Sequence, residues 1–514
     1  MRDSPSHDVD RRSVLRLSGA AFFAAGVGAT AGCLGDDDDT LVITQGELAE
    51  NADPNDHNAT PAYNVFDPVY EPLFRVDAEG EIDEHIVTDW DIDTDTAELT
   101  VRDDVTFHNG DDMTAEDVAY TINRQVDPDV GVTSPQVDGL AGITGADAED
   151  DTTVVVEHEV GPGLVEVGLG IFGRVVNEDW IEDRDQPISD EMNGTGPYEL
   201  ESFDAQNEAV YTAFDDYWGE EPEFEEVVFQ AIDESSTRVS ELQTGESDLI
   251  VNVPPTDVDT IDDESGVEIR NLTSFRNIFL VMTNDEPPFD SVEFRQAMNY
   301  AVDNQEIIDT ILGGFGQPMS QPLPEGHFGY NPDLDPYPQD LDQAESLVDD
   351  SGYAGEEITL VCPDGRYLND TEIAETAAAD IDELPNVSCS VEIEPFEDIA
   401  AAALDADPTT SPDFFLIGWG NPTYDANYGL APWMVSGQAS HSFIDDDIEA
   451  AILESQVIED DDEREEFLED LSEDIREAAP WVFLHLEESI YGVRDDIDWE
   501  PRPDESLYLH EMSE

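Results

Sequence analysis

No lysine occurs in this chain of 514 residues; all 18 of its basic residues are arginine, and they face 127 aspartates and glutamates. The resulting formal charge of −109 constrains the fold more than any motif does. Self-repulsion on that scale opposes a compact state unless salt screens it. The Debye length is about 8 Å at physiological ionic strength and about 3 Å at 1 M. The same imbalance excludes a nucleic-acid binder, which needs a basic footprint to displace counterions from phosphates. It also argues against docking on an anionic membrane surface. Disorder does not follow from the charge, because 39% of the residues are hydrophobic and 22 Phe, 15 Tyr and 7 Trp are available for cores. A folded protein with a very acidic surface is expected.

Such a composition resembles that of proteins from extreme halophiles. It speaks to the solvent and leaves function open. The first 32 residues read as an address: paired Arg11-Arg12 as in a twin-arginine signal, then the apolar stretch Leu17–Gly32. That stretch is 16 residues long, short of the roughly 20 that a membrane-spanning helix needs. Ala31-Gly32-Cys33 resembles a lipobox, with Thr30 where Leu is usual. Cys33 is therefore expected to carry a lipid anchor at the outer face of the cell membrane, followed by an acidic tether over 33–40. Four arginines and three acids precede Cys33, leaving 14 against 124. Cys362 and Cys389 remain, at ends of the predicted strands Ile358–Cys362 and Cys389–Ile393, with one helix between them. An extracellular setting permits a disulfide between them; two buried free thiols are the alternative.

Hydrophobic periodicity predicts strands at Leu41–Thr44, Leu99–Arg102, Val105–Phe107, Thr152–Glu157, Val227–Ile232, Phe414–Ile417 and Pro480–Leu484. Helices are expected after Thr114, whose Asp117 suits a capping box. Others are expected over Ser235–Leu242 with Gly245 as a stop, over Phe294–Leu312, over Leu341–Ser351 closed by Gly352, and as an acidic pair within Ile448–Glu477. Strands alternate with helices in both halves, so the fold class is α/β. No catalytic residue, metal site or cofactor is indicated: there is no His-Glu-x-x-His, no Gly-x-Ser-x-Gly and no cysteine cluster. Asp91-x-Asp93-x-Asp95 lacks the Gly and Glu of a calcium loop, with Thr96 and Arg102 in their places.

Several segments occur in a telling order. Tyr70-Glu71-Pro72-Leu73-Phe74 is followed by Val105 to Gly110 and Thr114 to Val118. Then come Gly194-Thr195-Gly196-Pro197-Tyr198, Asp216-Tyr217-Trp218-Gly219, Leu242-x-x-Gly245-Glu246-x-Asp248 and Phe294-Arg295-Gln296-Ala297. This series resembles the peptide/nickel-binding family of ABC-importer solute-binding proteins, extracellular solute-binding family 5. The resemblance implies a two-lobe, periplasmic-binding-protein-like fold with an extra domain inserted in the first lobe. The expected limits are lobe I over 41–76, 190–271 and 486–514, the inserted domain over 77–189, and lobe II over 272–485. Most signature residues are expected in turns and packing, with Arg295 in a helix salt bridge.

For the ligand, the resemblance directs attention to the loop Gly418-Trp419-Gly420-Asn421-Pro422-Thr423-Tyr424-Asp425. Peptide-binding members carry an acid there for the ligand's amino terminus; here Pro422 occupies that spacing, with Asn421 and Asp425 as the nearest polar groups. Trp419 and Tyr424 offer aromatic walls, Gly418 close approach, Glu47 a polar group from the first lobe, and Arg366 a fork suited to a carboxylate. The implied function is capture of a peptide or another small organic solute by a monomeric lipoprotein, and its delivery to a membrane permease. Nickel chelates and oligosaccharides are further ligand classes of the family. A secreted hydrolase and a lipoprotein serving a chemoreceptor are the alternatives.

The charge alone predicts a salt response. The melting temperature should fall steeply as salt is diluted below about 1 M, where screening weakens. A melting temperature flat from molar to millimolar salt would contradict a charge-limited fold.

Overall fold

The computed structural model describes residues 40–514, except 58, 128–129, 131–133, 135, 141, 185, 404–410, 439, 441 and 459 and the side chains of 138 and 397. The segments expected to serve as targeting signal and, up to Asp39, acidic tether, with Cys33 between them, lie outside the described residues. Residues 39–514 form one unit. A mixed sheet of eleven strands runs through it. Its main path is Val387–Ile393, Glu356–Cys362, Phe414–Gly420, Val267–Met282, Trp481–Arg494, Leu249–Ile250, Thr40–Gln45, Glu226–Ala231, Glu208–Ala213 and Tyr198–Asp204. Two of these strands are long, 16 residues for Val267–Met282 and 14 for Trp481–Arg494, and they pair antiparallel in the middle.

Those two strands join two lobes. Ile278–Met282 and Trp481–Leu486 belong to one apolar core, which gathers only residues between 278 and 486. Further along, Tyr491 and Val493 enter the core built on Leu41, Ile43, Phe229 and Trp499. Where the chain passes from one core to the other the pairing slips, between Thr273 and Asn277 and again between Ile278 and Phe279. A separate four-stranded antiparallel sheet, Val87–Ile92, Thr96–Val101, Thr153–His158 and Ile143–Asp150, lies with helices Ala115–Val126 and Pro162–Phe172. Its strands alternate inward and outward, so Ala97, Leu99 and Val101 are buried while Glu98 and Thr100 face out.

Local signals act as their chemistry dictates. The Asp117 carboxylate accepts the Thr114 N–H at 2.9 Å, closing the capping box. Gly245 (φ 74°) and Gly352 (φ 84°) end their helices in the left-handed region. Four of the ordered signature segments, those around Glu71, His108, Gly194 and Tyr217, meet in one knot. Glu71, 3% exposed, accepts the Tyr217 hydroxyl at 2.7 Å and the Trp218 indole at 2.8 Å, and faces His85 at 3.1 Å. Gly196 donates to the Val69 carbonyl and His108 to that of Gly194. A Cβ on Gly194 would stand 2.0 Å from the Val69 oxygen, so only glycine permits that approach.

Four expectations are corrected. The strand from Phe414 continues through Gly418 and Trp419 to Gly420 because Arg276–Ile278 pair with it, so the first part of the expected ligand loop is strand. The periodic stretch Phe294–Leu312 breaks after Ala301, where Asp303 caps a new turn at Asn304. Cys362 and Cys389 are free thiols: their strands are parallel neighbours, but the register sets Cys389 opposite Ile358 and Cys362 opposite Ile393. Arg295 forms no salt bridge among the described residues; its guanidinium donates to the carbonyls of Phe289, Ala478 and Ala479, tying down a helix C-terminus.

Beside the register slip sits a buried charge cluster. Arg276 is ion-paired with Glu505 and donates to the Thr60 hydroxyl at 3.1 Å. Glu487, 5% exposed, adds a second carboxylate. Burial first, and the Glu505 charge second, push the Glu487 carboxyl up from 4.5 to about 7, against the pull of Arg276 and Arg366. A carboxyl with a raised folded pKa costs stability as pH rises, because the unfolded chain gives up the proton first. The cost should grow from pH about 4.5 to about 7 and stay constant above. At about 1.4 kcal/mol per unit it reaches the order of 3 kcal/mol. Glu487→Gln should therefore match the parent's melting temperature at the acid end and exceed it at pH 8. A gap that does not widen between those limits would count against the cluster.

Candidate functional site

Between the lobes lies a cleft of about 1090 Å³, part of it open to solvent. One wall carries Thr60 and Tyr63, at the first turn of helix Thr60–Phe66, with Ile171 and Arg174 from the end of helix Pro162–Phe172 and the residue stretch beyond. The C-terminal segment adds Pro503 to Ser506 and Tyr508. The facing wall carries Arg366, Tyr367, Phe396 and Ile417 to Pro422, and Phe275 and Arg276 join the two at the register slip. The lining is aromatic and apolar with few charges, the usual make-up of a small-molecule site.

The charges differ in how firmly they are held. Arg174 donates to Asp67 at 2.8 Å and to the Ile171 carbonyl at 2.6 Å. Asp504 receives a forked pair from Arg502 and the Ser506 N–H. Glu505, held at φ 64°, is committed to Arg276 and accepts the Ser489 hydroxyl at 3.1 Å. Arg366 is the exception. Its nearest acid is Glu47 across the cleft at 4.0 Å, and its buried Nε has no hydrogen-bond partner among the described residues. The guanidinium instead lies over the rings of Phe396 and Tyr367, 4.9 and 5.2 Å from their centroids.

The residues singled out from sequence fall into two groups. Trp419, Gly418, Asn421 and Arg366 line the cleft. Trp419 donates its indole N–H to the Tyr428 carbonyl at 3.0 Å and packs against the rings of Tyr428 and Trp433, which fixes it as a wall. Gly418 leaves room for Tyr367, whose ring a Cβ there would meet at 2.6 Å. The Asn421 amide is consumed locally, accepting the Thr423 hydroxyl and donating to the Asp425 carbonyl. Glu47 stands at the rim with a half-exposed side chain. Asp425 and Tyr424 are engaged elsewhere. Asp425 is locked by Arg464 at 2.6 and 2.8 Å and caps helix Ala426–Met434, so it is a staple of the second lobe. Tyr424 points its hydroxyl at the backbone of Asp77 and Ala78.

Sequence reasoning missed Tyr63, Arg174, Arg276, Tyr367 and Tyr508. Scarcity of cations was the available signal for two of them, since Arg174 and Arg276 are among only 18 basic residues. The tyrosines carry no local mark, because they reach the cleft from helix, loop and tail.

Comparison with known proteins agrees with this geometry. The family model for bacterial extracellular solute-binding proteins, family 5 Middle, matches residues 81–441. Heme-binding protein A of Haemophilus influenzae is 23% identical over 433 residues, 78% of this chain and 78% of that protein. Glutathione-binding protein GsiB of Salmonella typhimurium is 20% identical over 464 residues, 88% of this chain and 89% of its own length. The ABC transporter-associated periplasmic binding protein DppA of Helicobacter pylori, solved in complex with peptide STSA, superposes with a TM-score of 0.83 at 21% identity, covering 92% of this chain and 98% of DppA. The fold is thus that of the two-lobe periplasmic binding proteins, and the chain belongs to family 5 of the bacterial extracellular solute-binding proteins.

Proposed function

We propose that this protein captures a peptide or a related small organic solute outside the cell and passes it to the permease of an ABC importer. One observation carries the reading. The interlobe cleft holds an arginine, Arg366, whose guanidinium has aromatic rings behind it and, before it, only a long ion pair of 4.0 Å to Glu47. Arg238 and Arg295 also lack a carboxylate, but main-chain carbonyls satisfy them, whereas the buried Nε of the half-buried Arg366 has no hydrogen-bond partner among the described residues. A ligand carboxylate would complete its fork. Trp419, Tyr63, Tyr367 and Tyr508 would enclose the ligand's body.

The mechanism is binding without chemistry. A solute that touches both walls has more contacts in the closed state than in the open one, and this difference in affinity shifts the population. The break in register between the long strands is the place for that rotation. Export with a lipid on Cys33 would hold a monomer near its permease. A single acyl chain anchors only marginally. DppA's peptide and GsiB's glutathione support a ligand with a carboxylate, whereas Pro422 argues for a different grip on any amino terminus.

Mass spectrometry of compounds that co-purify from molar salt should identify the solute, and calorimetry with that compound should give one site per chain. Trp419→Ala should weaken binding at least tenfold, about 1.4 kcal/mol, in protein that melts at a lower temperature but still cooperatively. Consumption of the compound by purified protein would sink a binding role, and an unaltered affinity in Trp419→Ala would remove the cleft from it.

A further inference from the structure

Tyr424 belongs to the second lobe by sequence but packs on the core of the first lobe's four-stranded sheet. Its backbone has φ 55°, a left-handed conformation that costs a residue with a Cβ. The loop enforces it: Asn421 ties the turn through Thr423 and Asp425, and Phe328 donates to the Tyr424 carbonyl at 2.9 Å. The ring stands 4.8 Å from that of Phe275 and lies parallel to His327. Across the cleft, the turn Asp77–Gly80 is already built. The Asp77 carboxylate accepts the N–H groups of Glu79 and Glu81, and Gly80 donates to the Asp77 carbonyl. The Tyr424 hydroxyl donates to the Ala78 carbonyl at 3.0 Å, with that of Asp77 at 3.4 Å. Gly80, at φ 85°, gives the ring its seat; a Cβ there would stand 2.8 Å from ring atoms.

We propose that Tyr424 is a latch between the lobes: a positioning residue that holds the cleft closed without lining it. The inference rests on the reading that the lobes open and close around a solute. A second contact works with it. The N–H of Gly161, at the start of helix Pro162–Phe172, donates to the Gln456 carbonyl of the second lobe at 2.7 Å, and Gln456 in turn donates to Asn427. That helix delivers Ile171 to the cleft wall opposite Trp419. Latch and helix contact together fix the distance between the walls that a ligand spans.

Hydrogen exchange on the full chain in molar salt reads the latch without any ligand, because the Gly161 amide is protected by a carbonyl from the other lobe. Tyr424→Phe keeps the ring and removes the hydrogen bonds. It should speed exchange at Gly161 about fivefold, the worth of one net hydrogen bond. Amides of the paired core residues Leu280 and Val482 should keep the parent's rates, which also certifies folding. Gly80→Ala attacks the same contact from the opposite lobe and should act more strongly. Unchanged exchange at Gly161 in both variants, or equal acceleration at Leu280 and Val482, would overturn the latch. Calorimetry with the co-purified compound keeps the two ideas apart. Intact binding by the parent alongside unchanged exchange removes the latch alone, and a parent that binds nothing removes the solute-capture reading alone.

Discussion

Buried guanidinium groups hold this fold together at points where segments distant in sequence must meet. Arg124, Arg174, Arg238, Arg276, Arg295, Arg464 and Arg502 are each less than 9% exposed. Arg124 binds Asp53 and Asn55, Arg464 binds Asp425, and Arg502 reaches Asp504 and the Val76 carbonyl. Arg238 ties the carbonyls of Ile232, Asp233, Val251 and Asn252 into one corner. Guanidinium suits this work because it is weakly hydrated, planar and rich in donors. Removal of either member of a buried pair leaves a charge without compensation, a loss of about 3–5 kcal/mol. The surface is given over to acids, and half of the arginines among the described residues are spent inside.

This allocation also explains why the cleft stands out. Arg174 and Arg276 line it but are satisfied by Asp67 and Glu505. Arg366 is left with aromatic rings and a long ion pair of 4.0 Å to Glu47. Four of the ordered signature segments, by contrast, converge on Glu71 and the Gly194 turn, away from the cleft lining.

Much of the architecture could be read from local chemistry. Thr114 with Asp117, Gly245 and Gly352 marked helix ends, and Leu41–Ile43 and Phe414–Ile417 marked buried strands. The two long strands were less visible. Asn271, Thr273, Arg276, Glu487 and Glu488 interrupt their apolar runs, and the residues are strand because neighbours on both sides supply hydrogen bonds. Register hid the state of Cys362 and Cys389 in the same way: adjacency of strands says nothing of the offset along them. In the site, Trp419 and Arg366 were legible from the family pattern and from cation scarcity. Asp425 was misplaced because its partner, Arg464, lies 39 positions later and nothing local announces it.

The paired strands Val267–Met282 and Trp481–Arg494 have a mechanical consequence. They make the lobes two ends of one sheet, so a rotation of one against the other is a twist of a two-strand ribbon. Backbone hydrogen bonds on either side of the slip at Thr273–Asn277 are stiff, while the slip itself carries fewer of them. Compliance is thereby concentrated in a few residues, as in a torsion bar with a thinned waist. A force applied to either lobe travels through main-chain bonds to that waist, and the acidic exterior can repel, hydrate and vary in sequence without altering the spring constant.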